Sequence, residues 1–398
     1  MRILFDARGV QARSDGMSNY VRAILAGLLS ADRETAYTIL LTPAFRSELQ
    51  AAGLLERSNV RAVETSIPFM GAAQQVWMPA LVRRLGPSHV YHYPHFDLPT
   101  LAHPNSVVTI YDLNHINFPA YFGSQRRLKR WYSWVTTHAS ARRARHVITI
   151  SEHTKRQLLE RFTWLTPGDV TVTHFGVEAR FLTPPAPERL RAFRQKFALG
   201  DARYLLYVGT HRPHKNLERV VKAYAQLRGR GEVTQQLLLV GSPGGSEAVP
   251  RLVRALRLED AVRLIGYVPD EELPLVYRVA DAFVFCSLSE GFGMPLLEAM
   301  ASGVPVVSSA IGAMAEIAAD SALLVDPYSI ERIAEGMATL AQSDAARRAF
   351  AARGAERVQR FSWDDAVART LGVYRAVAGD QPGAPALQPE TASAPAAG

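Results

Sequence analysis

Two glutamates with seven residues between them, Glu290 and Glu298, bracket a turn of sequence Gly291-Phe292-Gly293-Met294-Pro295. The apolar run ahead of them, Ala282-Phe283-Val284-Phe285, is short and aromatic enough for a buried parallel strand. Pro295 stands where a first helical residue belongs, and Leu296, Leu297 and Met300 continue a helix that Ser302-Gly303 ends. A helix entered through glycines offers unpaired N–H groups and the positive end of its dipole, which suits an anion, above all phosphate. The candidate donors are the amides of Gly291, Phe292, Gly293 and Met294. A carboxylate does not bind phosphate but does bind hydroxyls, so Glu290 suits a sugar and Glu298 a ribose at the carboxyl ends of the strands. The unit reads as a nucleotide-sugar site. The plainer reading is one capping glutamate followed by one solvated glutamate.

A second group supports the first. Tyr204 to Gly209 reads as a strand, and the loop after it carries Arg212 and Lys215. Two cations at a strand end suit a pyrophosphate, arginine as a fork and lysine as a point charge; solubility is the competing reading. In the first half, Gly16 precedes a helix expected to begin near Ser18 and could hold a phosphate or an acceptor hydroxyl. It is not a Gly-x-Gly-x-x-Gly fingerprint. Tyr111, Asp112 and His115 follow the strand Val107–Ile110 and are candidates to face a substrate. Cys286 ends a buried strand without a visible activating partner and reads as a small core residue.

Glu290 and Glu298 with the intervening Gly-Phe-Gly-Met-Pro resemble the signature of the retaining glycosyltransferases of family four. The resemblance continues in Gly209-Thr210-His211-Arg212-Pro213-His214-Lys215-Asn216-Leu217 and in Ala322-Leu323-Leu324-Val325-Asp326-Pro327, and runs more loosely from residue 1 to about 378. It implies the GT-B architecture: an α/β fold of two Rossmann-like domains facing across a crevice. It implies a reaction in which the acceptor attacks the face that the nucleoside diphosphate leaves, while a phosphate oxygen takes the proton. Stabilising that leaving group is then the main task, assigned to Arg212, Lys215 and the amides of the turn. The backbone at Tyr267 and Val268 would read the base, with Gly209 nearby and Asp112 close to the reacting hydroxyls. The family often has histidine where this chain has Tyr111. The likeness leans towards a mannosyltransferase that uses GDP-mannose, with no cofactor beyond the donor, in polysaccharide or O-antigen synthesis on a lipid-linked saccharide acceptor. No Asp-x-Asp or His-Glu-x-x-His indicates a metal. The alternative is a non-catalytic scaffold that binds the nucleotide sugar and docks a partner or a membrane.

The elements that must position these groups alternate strand and helix, the pattern of a mainly parallel α/β protein. A chain of 398 residues, 48% hydrophobic and 21% charged, suits two domains rather than disorder. The expected organisation is a first domain over 1–183, which binds the acceptor, and a linker over 184–200. A second domain over 201–360 binds the donor, a helix over 361–378 returns to the first domain, and the tail 379–398 is disordered. One cysteine excludes an internal disulfide and fits a reducing compartment. Met1 to Asp6 reads as a buried strand rather than a signal peptide, so the expectation is a cytoplasmic protein. Residues 125–161 hold ten Lys/Arg against two Glu, an excess equal to the whole chain's +8, with Trp131, Tyr132 and Trp134 among them. That mixture suits an anionic membrane at the inner face, or else a basic helix face with its tryptophans in the core. Nucleic acid is excluded as a partner because no recognition motif accompanies the charge.

Overall fold

A computed structural model describes residues 1–11, 15–99, 101–118, 126–242 and 247–379. Seven strands, β1 (Arg2–Asp6), β2 (Ala36–Leu41), β3 (Val60–Glu64), β4 (Val90–Tyr93), β5 (Ser106–Thr109), β6 (His146–Thr149) and β7 (Val170–Val172), form the first sheet. Six more, β8 (Tyr204–Val208), β9 (Gln236–Val240), β10 (Val262–Gly266), β11 (Ala280–Phe285), β12 (Val306–Ser309) and β13 (Leu323–Val325), form the second. The spatial orders are β3-β2-β1-β4-β5-β6-β7 and β10-β9-β8-β11-β12-β13, with every recorded pairing parallel. Both are doubly wound Rossmann-like sheets, and together they make the GT-B fold. Runs such as Tyr204-Leu205-Leu206-Tyr207-Val208 are buried throughout because helices cover both faces of a parallel sheet.

In each sheet the winding reverses beside the first strand, between β1 and β4 and between β8 and β11. Loops leaving two such strands diverge and open a crevice at their carboxyl ends. The loops after β8 and β11 carry Arg212, Lys215 and Glu290, and the loop after β5 carries Tyr111 and Asp112. Topology alone therefore collects the candidate residues.

The last helix, Trp363–Ala378, packs on the first domain. Ser362 caps it by accepting the Asp364 amide at 3.1 Å. Its Tyr374 hydroxyl lies 2.6 Å from His92 Nδ1 on β4, and His92 Nε2 lies 2.8 Å from Thr109 Oγ1 on β5.

Two local expectations are revised. Within the expected linker, residues Pro187–Lys196 form a helix that buries Phe193 and pairs Lys196 with Glu272 at 2.7 Å. Much of this segment is thus surface of the second domain and not a free connector. The first helix begins at Gly16, earlier than expected, because Asp15 serves as its cap and accepts the Ser18 amide at 2.7 Å. Leu323–Val325 is a strand that closes the second sheet beside β12. The expected disorder of the tail lies outside the described residues beyond Gly379. Among the described residues no helix is long and apolar enough to cross a membrane.

Burial holds His92 neutral, its pKa pushed down to about 3. Above pH 6.5 both folded and unfolded chains carry it uncharged, and it does not affect stability. Below that pH the unfolded chain takes the proton first, so stability falls with acid until about pH 3. His92→Gln should remove about 1.4 kcal/mol per pH unit from the slope of unfolding free energy between pH 6 and 5, measured by urea titration. An unchanged slope would mean that His92 is solvated.

Candidate active site

Lys215 and Glu290 form the centre of the site. Lys215 Nζ lies 2.7 Å from Glu290 Oε1, with side-chain exposures of 17% and 11%. Oε1 nevertheless has no hydrogen bond in proper alignment. The ammonium also sits 5.1 Å from the centre of the Phe285 ring, in cation–π range. The carboxylate is thus compensated in charge while one oxygen keeps its capacity to accept.

The loops bearing the pair are tied together by Asn216, whose left-handed backbone (φ 61°) ends the short turn Pro213–Lys215. Its side-chain amide donates to Cys286 O at 2.9 Å and to Pro327 O at 2.7 Å. Leu288 N donates to His214 O at 2.8 Å, a second link between the same loops. Two of the sequence stretches that carry the family resemblance, Gly209–Leu217 and Ala322–Pro327, therefore meet at one buried side chain, which also holds the end of β11. Cys286 lies beneath, fully buried, with its thiol pushed up to about 12, which fits a core residue and excludes a ready thiolate.

The helix Met294–Ala301 has no side-chain cap, and Pro295 carries no N–H. Leu296 and Leu297 turn their amides back to Gly293 O. Among the described residues the amides of Gly291, Phe292, Gly293 and Met294 have no backbone or side-chain acceptor. Their loop forms an unfilled cluster of donors beside Glu290.

The reason for the glycines differs from the sequence expectation of close approach by a ligand. A Cβ on Gly291 would sit 2.3 Å from Tyr111 O of the opposite domain and 3.1 Å from Asp112 Cβ. Gly293 has φ 101°, and a Cβ there would meet Met314 Cε at 2.2 Å. Both glycines serve contacts within the protein. Phe292 is buried against Phe175 at 5.0 Å, Phe361 at 5.7 Å and His174 at 6.0 Å, so its side chain fastens the second domain to the first. Only its backbone can face a ligand.

Across the crevice, Asp112 accepts the Asn114 amide at 2.8 Å and lies 3.9 Å from His115 Nδ1. Burial pushes its pKa up, but the neighbouring His115 and the Asn114 amide hold it below the ordinary carboxylate range. Ser289 Oγ donates to Asn114 Oδ1 at 2.6 Å, linking this loop to the loop of Glu290. His115 does not reach the crevice. It is buried, stacked on Phe96 at 3.9 Å and paired with Thr137 Oγ1 at 2.9 Å, so it supports Asp112. The Tyr111 hydroxyl is buried without a hydrogen-bond partner, with its ring edge-on to Tyr20 at 5.4 Å, and burial keeps it a neutral phenol. It does not supply the acid–base chemistry of a histidine.

Glu298 accepts the Tyr277 hydroxyl at 2.6 Å, and burial pushes its pKa up to about 7 despite that bond. Tyr267 is exposed after β10, while the Val268 side chain is buried, which leaves backbone as the feature Val268 can present. Gly209 donates its amide to Val240 O at 2.9 Å, so its role is to join the ends of β8 and β9. Arg212 is exposed and lines a cavity of about 630 Å³ with His211, Arg219, Lys222 and Leu288, a cavity whose lining includes neither Lys215 nor Glu290. Gly16 opens the first helix under a carboxylate cap, a poor setting for phosphate and a better one for a hydroxyl.

Two participants escaped the sequence reading. His214 is buried between Glu290, Lys215, Asp112 and Arg212, and burial lowers its pKa. Glu316 accepts two amides of the opposite domain, a contact that no local pattern signals. The signal for His214 was its place inside the Pro213–Asn216 motif.

Residues 14–181 match Glycosyltransferase Family 4, and residues 189–357 match the glycosyl transferases group 1. The chain is 32% identical over 288 residues to an O-antigen chain mannosyltransferase B of Escherichia coli, covering 72% of this chain and 74% of that one. It belongs to glycosyltransferase family 4. It is also 31% identical over 256 residues to a D-inositol 3-phosphate glycosyltransferase of Kineococcus radiotolerans, spanning 60% of this chain and 58% of the relative. The solved sucrose-phosphate synthase of Thermosynechococcus elongatus shares the fold with a TM-score of 0.72, over 96% of this chain and all of its own, at 22% identity.

For this family 4 glycosyltransferase the Gly291 contact gives a direct prediction. Gly291→Ala should lower turnover at least tenfold while the circular dichroism spectrum stays native, because the new methyl pushes Tyr111 O and the Asp112 loop away. Turnover within twofold of wild type would show that the two loops are not in contact during the reaction.

Proposed function

We propose that the protein is a retaining hexosyltransferase, moving mannose from GDP-mannose to a saccharide on a lipid carrier during O-antigen-type polysaccharide synthesis. The observation that carries this reading is the Glu290 carboxylate, neutralised by Lys215 yet short of a hydrogen bond, beside four loop amides without partners among the described residues. An anion and a hydroxyl presented together satisfy both, and a nucleoside diphosphate sugar presents both. Lys215 and the amides of Gly291 to Met294 take the diphosphate, with Arg212 supplying further positive charge. Glu290 accepts a sugar hydroxyl, Glu298 the ribose, and the backbone at Tyr267 and Val268 meets the base.

In the reaction the bond from the anomeric carbon to the diphosphate oxygen breaks. The acceptor oxygen bonds to the same face of that carbon, and its proton passes to the departing phosphate. Asp112, kept ionised and lying against Gly291, faces the positive charge that develops on the sugar ring. The donor is the only cofactor-like species in this scheme. Mannose and the O-antigen setting are supported by the Escherichia coli relative, while the inositol phosphate relative makes a polyol phosphate the competing acceptor class. A scaffold without transfer has no use for the contact of Asp112 with the donor loop, and the reading is not favoured.

We also assign a peripheral contact with an anionic membrane to the helix Arg126–Arg143. Trp131 and Trp134 are 61% and 44% exposed, with Leu128, Arg127, Lys129 and Arg130 exposed beside them. Tyr132, grouped with the tryptophans by sequence, instead turns inward and donates to Asp97 at 3.0 Å. Gln75, on the neighbouring helix Ala72–Leu85, donates to the same carboxylate at 3.1 Å, and that helix adds the exposed Val76 and Trp77.

In a thermal-shift series, GDP-mannose and GDP should raise the melting temperature of the wild type more than UDP-glucose and UDP do. In Glu290→Gln the GDP shift should persist and the extra shift from the sugar should vanish. A larger response to the uridine series would replace the donor, and no response to any nucleotide would defeat the transferase reading. Trp131→Ala with Trp134→Ala should cut binding to phosphatidylglycerol-containing vesicles at least fivefold in flotation. Equal binding to phosphatidylcholine vesicles would contradict the anionic contact.

A further inference from the structure

Away from the donor loop, the second domain grips the first through one carboxylate. Glu316, on the helix Gly312–Ala318, accepts the amides of Glu152 at 2.8 Å and His153 at 2.6 Å. These are the first two residues of the helix Glu152–Arg161 in the first domain, and their N–H groups have no partner within their own helix. Ser151 caps that helix locally and accepts the Thr154 amide at 3.1 Å. The helix end is thus completed by two residues, one from each domain. A carboxylate there also meets the positive end of the helix dipole.

The grip is held from behind and leads to the reacting groups. Arg357 donates to Glu316 O at 2.8 Å and Ile317 O at 2.9 Å, fixing the short helix that bears the carboxylate. His174 of the first domain lies 3.5 Å from Glu316 Oε1. On the far side, Thr154 Oγ1 donates to Tyr111 O at 3.4 Å, the same carbonyl that approaches Gly291. A continuous set of contacts therefore runs from Glu316 through the start of the helix to the Tyr111–Asp112 loop and back to the donor loop.

We propose that Glu316 is a positioning residue that sets the closed arrangement of the two domains, the arrangement in which Asp112 lies over the loop of Glu290. It touches no substrate. The donor groups Lys215, Glu290 and the loop amides all belong to the second domain, so donor binding survives loss of the grip and turnover does not. This inference goes beyond the donor assignment and does not depend on which nucleotide sugar is used.

The test compares Glu316→Ala, Glu316→Gln and Ser151→Ala in the full chain. Small-angle X-ray scattering without substrate should show a larger radius of gyration for Glu316→Ala than for the wild type. Nucleotide release from GDP-mannose and from UDP-glucose should fall at least tenfold, while the dissociation constant of the corresponding nucleoside diphosphate stays within twofold. Glu316→Gln, which can accept only one of the two amides well, should fall between. Ser151→Ala should lower the melting temperature by weakening the same helix end, yet keep the wild-type radius and turnover. Wild-type radius and turnover in Glu316→Ala would overturn the proposal, as would nucleotide affinity falling in step with turnover, or Ser151→Ala reproducing the loss. The scattering comparison needs no donor, so failure of the donor assignment and failure of this inference are separable.

Discussion

The ion pair of Lys215 and Glu290 is the constraint on which the rest of the site depends. Two oppositely charged groups, each less than one-fifth exposed, are kept where water is scarce. Removing one partner of such a pair typically costs about 3–5 kcal/mol, because the other charge is left uncompensated. The pair exists because β8 and β11 are neighbours at the reversal of the second sheet, so that the loops leaving them flank one crevice. Asn216 then ties the β8 loop to the end of β11 through Cys286 O and to the segment after β13 through Pro327 O. In the proposed reading a diphosphate offers Lys215 a stronger partner than a single carboxylate and releases Glu290 for a hydroxyl, which would couple donor binding to sugar recognition.

The second constraint is the meeting of the domains. The donor loop is complete only against the first domain: Tyr111 O occupies the space a side chain at Gly291 would need, and Phe292 inserts among Phe175, Phe361 and His174. The returning helix Trp363–Ala378 adds a covalent route between the domains, anchored on β4 through Tyr374 and His92. An enzyme that excludes water from an activated sugar needs such a closed seam. Asp112 stands on one side of it and Glu290 on the other, and the proposed function assigns charge stabilisation to the first and hydroxyl recognition to the second.

Much of this was legible in the sequence, and the exceptions share a cause. The alternation of buried strands and helices, the two domains and the returning helix follow from local patterns. So does the placement of Arg212, Lys215 and Glu290 in loops that follow strands. Side-chain partners distant in sequence do not. His115 looked like a candidate for imidazole chemistry because it follows a strand, but its neighbours Phe96 and Thr137 make it a buried support. Tyr132 looked interfacial between two tryptophans, yet Asp97 draws it inward. The glycines of the donor loop looked like room for a ligand and proved to be room for Tyr111 and Met314. The helix at Pro187–Lys196 was obscured by the prolines before it, although Phe193 and Phe197 repeat at helical spacing. For His115, Tyr132 and the glycines a long-range contact decided the use of a residue whose local setting was read correctly; the helix at Pro187–Lys196 was missed outright.

The most direct measurement is a crystal structure of the chain with bound GDP, compared with one free of nucleotide. The account predicts Lys215 Nζ within hydrogen-bonding distance of the terminal phosphate, farther from Glu290 Oε1 than the 2.7 Å of the free chain, with loop amides between Gly291 and Met294 on the same phosphate. A diphosphate bound elsewhere, with Lys215 and Glu290 still paired, would contradict the central claim.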